Sequence, residues 1–261
     1  MTILRSLLVI ICAFLWALFL MPLQGLVLLF APKASYALPQ LFHKGICYLL
    51  RVQVTIHGTP SPEKPTLFVL NHISWLDIPV VGKALKGCFV ARQEVRDYPF
   101  FGPFFKLQRT IFISQTPSAI KVHKEDMLDH LEGGENIFLF PEGTSSNGII
   151  VQNFKSAYFV LAETHEGEAP LNVQPVTLAY SQMDNLTMTR GTMGVVAWVG
   201  NESLLGHIWA FLNSGRITAE LRFHSPVTID EYDSRKSMAT DCQLVVTQGL
   251  SRALTGRLEP K

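Results

Sequence analysis

The chain opens on an unbroken apolar run. Across residues 7–30 no side chain is charged, and the run exceeds the roughly 20 residues a helix needs to cross a hydrocarbon core. Arg5 precedes it, and Lys33 and Lys44 follow. Pro22 and Gly25 interrupt it, so two shapes fit: one kinked spanning helix, or two short helices that enter one leaflet and return. The second leaves both basic flanks on one side of a membrane. Ser35-Tyr36-Ala37 offers small residues to a signal peptidase. The run nevertheless outlasts the apolar stretch of about 7–15 residues in a cleaved signal, so the segment reads as a retained anchor.

Beyond residue 44 the pattern changes. Short apolar runs at 52–57, 66–70, 88–91, 110–113, 136–140, 173–179 and 217–223 predict strands. Apolar residues at helical spacing predict helices over 78–85, 118–131, 155–163, 204–212 and 234–254. Thr66-Leu67-Phe68-Val69-Leu70 lacks polar alternation, the pattern of a buried strand. The succession predicts an α/β domain: a mixed central sheet flanked by helices, with an N-terminal membrane-embedded helix or two-helix hairpin. Stretches 58–65 and 163–170 read as surface loops. The expected division is a membrane anchor over 1–44 and a catalytic domain over 45–261.

Composition supports contact with lipid. Of 261 residues, 48% are hydrophobic and 16% charged, against about 25% charged in an ordinary soluble domain. The net charge of +1 leaves no basic excess to meet nucleic-acid phosphates. Cys12, Cys47, Cys88 and Cys242 are scattered, without metal or redox spacing, and read as thiols filling apolar space. His123 with Glu125, and His165 with Glu166 and Glu168, lack partners at metal-ligand spacing.

Two short stretches carry chemistry. The first is Asn71-His72-Ile73-Ser74-Trp75-Leu76-Asp77. Five positions do not share a helix face, so His72 belongs before a helix and Asp77 near its start. Pro79 fits a first helical turn. Histidine exchanges a proton near neutral pH, and a carboxylate beside it fixes one ring tautomer. The plainer alternative makes Asp77 a helix cap, or the acidic member of a capping box with Ser74. The second stretch is Phe140-Pro141-Glu142-Gly143-Thr144, where a buried strand meets a tight turn.

In this order the two stretches resemble the glycerolipid acyltransferases, best known from the 1-acylglycerol-3-phosphate acyltransferases. The resemblance covers roughly residues 52–223 and includes a strand with a central proline, Val173-Gln174-Pro175-Val176-Thr177, which alone would pass for an ordinary edge strand. It implies that His72 is the general base and Asp77 its support, with Glu142, Gly143, Thr144 and Ser145 at the head of the acyl acceptor. It implies transfer of a fatty acyl group from an acyl carrier protein or CoA thioester to a lysolipid hydroxyl, with no metal and no cofactor. The partners implied are the lysolipid, the acyl carrier and membrane lipids. The expected location is a bacterial inner membrane, with the catalytic domain on its cytoplasmic side.

Two positions depart from the family pattern. Where many members carry arginine after the threonine this chain has Ser145, and where the second motif ends in arginine it has Gln115. A guanidinium offers paired donors to phosphate. Arg109 is the candidate substitute, and Ser145 and Ser146 offer hydroxyls. The expected acceptor is 1-acylglycerol-3-phosphate, giving phosphatidic acid; the alternative is a lyso-ornithine lipid. A non-catalytic membrane lipid-binding protein is the reading from another class. A serine hydrolase lacks its Gly-x-Ser-x-Gly elbow here.

One further segment stands out. Lys83, Lys86, Arg92, Arg96, Lys106 and Arg109 interleave with Phe89, Tyr98, Phe100, Phe101, Phe104 and Phe105. Such a pattern suits an anionic lipid surface and would also suit an acyl-chain channel beside an acidic donor carrier; the plain alternative is a solvated face over core aromatics, and the apolar stretch 100–105 favours membrane contact. Residues 204–212, with Trp209 and Phe211, read as an interfacial helix or as core.

Overall fold

The apolar runs assemble one sheet. The structure, a computed structural model, describes residues 3–32, 35–98, 101–114, 124–163, 170–200 and 202–256. Its strands are β1 (Val52–His57), β2 (Thr66–Leu70), β3 (Cys88–Arg92), β4 (Ile111–Ile113), β5 (Ile137–Leu139), β6 (Asn172–Met183), β7 (Leu186–Thr187) and β8 (Ile217–Phe223). They follow the order β1-β8-β6-β2-β5-β3-β4, with β7 paired to β6. Strands β6, β2, β5, β3 and β4 run parallel. β8 lies antiparallel to β6 and parallel to β1, so the sheet is mixed, as the sequence predicts.

The helices are α1 (Ile3–Phe30), α2 (Ala37–Leu49), α3 (Asp77–Ala84), α4 (Phe101–Leu107), α5 (Lys124–Glu132), α6 (Arg190–Met193), α7 (Leu204–Leu212) and α8 (Arg235–Thr255). They cover both faces, and the two-residue period of β2 shows how. Leu67 and Val69 pack with Met127 and Leu131 of α5 and with Met238, Cys242 and Val246 of α8. Phe68 and Leu70 pack with Cys47 of α2, Val80 and Val81 of α3 and Phe211 of α7. Every side chain of β2 is buried, which is why the strand reads as apolar without alternation. Each large apolar side chain so buried contributes about 1.5–3 kcal/mol.

Of the two shapes expected for the anchor, the structure takes the single helix. Pro22 sits inside α1 without ending it, and the run is one helix of 28 residues, long and apolar enough to cross a membrane. Leu8, Ile11, Phe14, Leu15, Leu18 and Phe19 are exposed, an outward surface that suits lipid rather than water. Two buried polar residues fasten α1 to the rest of the chain. Ser6 Oγ donates to Asn213 Oδ1 at 3.2 Å and Leu212 O at 3.4 Å. Gln24 Nε2 donates to Ser35 O at 2.8 Å and Leu107 O at 2.9 Å.

Helix α2, which the sequence pattern did not resolve, packs against both α1 and α3. Its His43 is fully enclosed beside Gln108 and Phe89. Burial pushes that imidazole down to about 4, so it stays neutral and structural.

Three further differences have local causes. β4 begins at Ile111 rather than residue 110 because Arg109 adopts φ 59° and Thr110 N–H turns back to Phe105 O at 3.0 Å. Ser156–Glu163 winds as a 3-10 helix, with Tyr158, Phe159, Leu161 and Ala162 all buried. β6 runs between β2 and β8 in the interior of the sheet, with Pro175 opposite Val69, so the proline strand is no edge strand.

Candidate active site

The site forms where β2 and β5 end together. Their register pairs Leu67 with Ile137, Phe68 with Phe138 and Val69 with Leu139. Carried onward, it brings His72 beside Glu142, at the carboxyl rim where parallel sheets present functional groups. The approach is closed by a bond: His72 N–H donates to Glu142 Oε1 at 2.7 Å. Asn71 extends the ladder on the other side, giving its amide to Leu178 O and accepting from Leu178 N–H, both at 2.8 Å.

Asp77 folds back over the loop that separates it from His72. Its Oδ2 accepts from His72 Nδ1 at 2.7 Å, Ile73 N–H at 2.6 Å and Ser74 N–H at 2.9 Å. Its Oδ1 accepts from the Tyr180 hydroxyl at 2.8 Å. The capping-box alternative fails, because Leu76 is the N-cap of α3 and no side chain caps that end. With Nδ1 donating to the carboxylate, Nε2 is left with its lone pair. Phe140 stacks under the imidazole, with ring centres 4.4 Å apart, and 22% of the His72 side chain remains exposed. Chemically, this is a base with one oriented, accessible nitrogen.

Glu142 is nearly sealed. Its second oxygen accepts from Gln152 N–H at 2.9 Å, so both oxygens brace backbone rather than reach outward. Burial pushes its carboxyl up to about 7, against the pull of the two N–H donors and His72. A carboxyl raised in the folded state contributes stability that is complete below its usual range and fades as pH rises through about 7. The expected result is that the stability difference between the parent and Glu142→Gln shrinks by on the order of 3 kcal/mol between about pH 4 and 8. Thermal unfolding of both proteins in detergent across that range measures it. A constant difference would show that folding leaves the carboxyl's affinity for protons unchanged.

Gly143 adopts φ 71°, which a side chain would strain, and a Cβ there would meet Lys155 Nζ at 2.7 Å. Its carbonyl accepts from the Arg92 guanidinium at 2.7 Å. Arg92 ends β3 on the same rim, and the sequence marked it only as one member of a basic run. Thr144 is exposed beside this turn. Ser145 does not present its hydroxyl proton to a ligand; it donates to Trp198 O. Ser146 N–H holds His72 O at 2.8 Å.

Arg109 lies elsewhere. It precedes β4, and its ion-pair partner Glu135 precedes β5, so both occupy the amino rim, roughly 20 Å from Glu142 along β5. Arg109 also reaches Ser35 Oγ and lies over the Tyr36 ring, and Glu135 further accepts from Tyr36 and His130. This cluster joins the α1–α2 connection to the sheet and does not serve the site. Gln115 lies outside the described residues.

The sequence also missed a strap. Residues 197–200 and 202–212 clasp both loops: Trp198 N–H donates to Ile73 O at 3.0 Å, and its carbonyl takes the Ser145 hydroxyl. His207 Nδ1 accepts from Trp75 Nε1 at 2.9 Å, while Nε2 meets Ala197 O at 3.0 Å. Tyr180 was equally hidden, since a tyrosine in an apolar strand reads as core.

The acyltransferase family's sequence model matches residues 52–179. The lyso-ornithine lipid O-acyltransferase of Brucella abortus is 35% identical over 246 residues, covering 93% of this chain and 92% of that protein. Its namesake from Rhizobium meliloti is 31% identical, over 92% and 84%. The 1-acyl-sn-glycerol-3-phosphate acyltransferase of Neisseria meningitidis is 31% identical over 44% of this chain and 46% of its own. The crystal structure of the 1-acyl-sn-glycerophosphate acyltransferase from Thermotoga maritima superposes over 98% of this chain with a TM-score of 0.68 at 20% identity, a likeness of fold.

Proposed function

This chain belongs to the acyltransferase family, and we propose that it esterifies the hydroxyl of a membrane lysolipid with a fatty acyl group taken from a thioester. The observation that carries the reading is the His72–Asp77 pair, held at 2.7 Å, a tautomer that leaves Nε2 its lone pair. His72 Nε2 takes the hydroxyl proton as the oxygen attacks the thioester carbonyl. The tetrahedral intermediate collapses, the C–S bond breaks, and the proton passes from His72 to the departing sulfur. An ester and a thiol result, with His72 returned to its starting state and Asp77 supporting the transient imidazolium. The N–H groups of Ile73 and Ser74 are taken by Asp77, so oxyanion donors come from elsewhere on the rim.

For the acceptor, we place a lyso-ornithine lipid ahead of 1-acylglycerol-3-phosphate. Two relatives that match nearly end to end carry the first name. Ser145 and Gln115 stand where many family members carry arginine, and Arg109 is engaged by Glu135 at the other rim. Arg92 is the guanidinium at the site turn, and one guanidinium suits the single carboxylate of an ornithine head. The glycerophosphate reading keeps the same Arg92 and the Neisseria likeness in its favour.

We place the enzyme at a bacterial inner membrane with its domain facing the cytoplasm, where acyl carrier protein and CoA thioesters are made. Exposed Arg92 and the basic residues near it suit either acidic carrier. The deciding assay offers the purified protein both acceptors with acyl-carrier and CoA thioesters, and detects products by mass. Acylation of the lyso-ornithine lipid is expected, falling roughly tenfold or more in kcat/KM in Arg92→Ala. Product from lysophosphatidic acid alone would reverse the order.

A further inference from the structure

Helix α7 has a role that the chemistry above does not use. Its nine residues contain no charged side chain. One side is packed: His207, Phe211 and Leu212 are buried. The other side is apolar and open, with Leu205 68% and Trp209 38% exposed, beside Val199 at 43% in the strap leading into it. At about 1.5 Å per residue, α7 reaches less than half the roughly 30 Å of a hydrocarbon core, so it cannot span.

Its neighbour bears on what covers it. Ser6, in the first turn of α1, bonds Leu212 O at the end of α7 and Asn213 Oδ1 just beyond. Leu4, Leu7 and Leu8 of α1 are exposed there. The outward side of α7 thus lies beside the apolar side chains at the start of the membrane helix, where Arg5 is the one charged residue of α1. We propose that α7 is a second membrane-contacting element, lying in the bilayer interface beside α1 with Leu205 and Trp209 in lipid. Tryptophan and leucine on a short in-plane helix are the chemistry that favours this boundary. Because the strap bonds Ile73, Trp75 and Ser145, lipid under α7 would bear directly on both loops of the site.

The test uses the full chain in vesicles of phosphatidylethanolamine and phosphatidylglycerol. A nitroxide is placed at Leu205→Cys or Trp209→Cys in a Cys12→Ser background, the other three thiols being buried. Leu8→Cys on α1 and Leu244→Cys on α8, both exposed in the parent, serve as lipid and water references. Labels at 205 and 209 are expected to collide with oxygen more than with a water-soluble nickel chelate, as at 8 and unlike 244. Behaviour like 244 would overturn the proposal. So would spin–spin broadening removed by dilution with unlabelled chain, which assigns the surface to a second copy. None of these readouts depends on catalysis, so the proposal can fail while the acyl-transfer reading stands.

Discussion

Replacing His72 with alanine is expected to lower kcat by roughly 10²–10⁴-fold while leaving the protein folded and membrane-bound. The backbone of residue 72 keeps its bonds to Glu142 and from Ser146, because neither involves the imidazole. What is lost is the stack on Phe140 and the Nδ1 bond to Asp77. Ile73 and Ser74 N–H and the Tyr180 hydroxyl still hold that carboxylate. The measurement is thiol release from an acyl thioester with and without lysolipid, alongside vesicle binding and thermal unfolding. A variant that turns over like its parent would remove the base from the scheme. It would favour a lipid-binding protein, or a reaction run by other residues.

The parts of this site that could be read from sequence are those written in contiguous residues. His72, Asp77 and Glu142 announce themselves because each follows a strand whose apolar run is unmistakable, and β2 and β5 lie side by side. Arg109 shows the limit. Its number places it one short strand from Gln115, but a strand has two ends, and Arg109 stands before β4 rather than after it. Direction along the sheet, not distance in sequence, decides which rim a residue serves. Arg92 is the converse: it ends β3, and only the β3–β5 pairing brings its guanidinium to Gly143.

Contacts made by the strap lie further beyond reach. Trp75 and His207 are 132 positions apart, and no local periodicity couples them. Tyr180 escapes for a related reason. Its hydroxyl lies in an otherwise apolar strand, and nothing nearby in sequence names Asp77 as its acceptor. Helix α2 was missed because its inward side carries His43 and Cys47 in place of the aliphatic stripe by which helices are usually recognised.

Asp77→Asn is expected to separate the electrostatic part of the site from its scaffolding. An asparagine can put its oxygen where Oδ2 now accepts three bonds and turn its amide toward Tyr180, whose hydroxyl oxygen can accept. The loop would then keep its bonds, and the stability loss should stay near 1–2 kcal/mol. Alanine has no such option. It strands the Ile73 and Ser74 N–H groups and the Tyr180 hydroxyl in a fully buried pocket, costing about 3 kcal/mol or more. Catalysis should respond differently. The amide that Asp77→Asn introduces is neutral and cannot support the imidazolium formed when His72 accepts a proton, so kcat should fall roughly 10³–10⁴-fold despite the modest structural cost. Tyr180→Phe removes one neutral donor from Oδ1 and leaves the charge in place, so its kcat should drop by no more than about tenfold. Thermal unfolding and steady-state kinetics on these three variants test the scheme together. If Asp77→Asn matched Tyr180→Phe in kcat, the carboxylate's charge would be incidental and its role reduced to holding the loop.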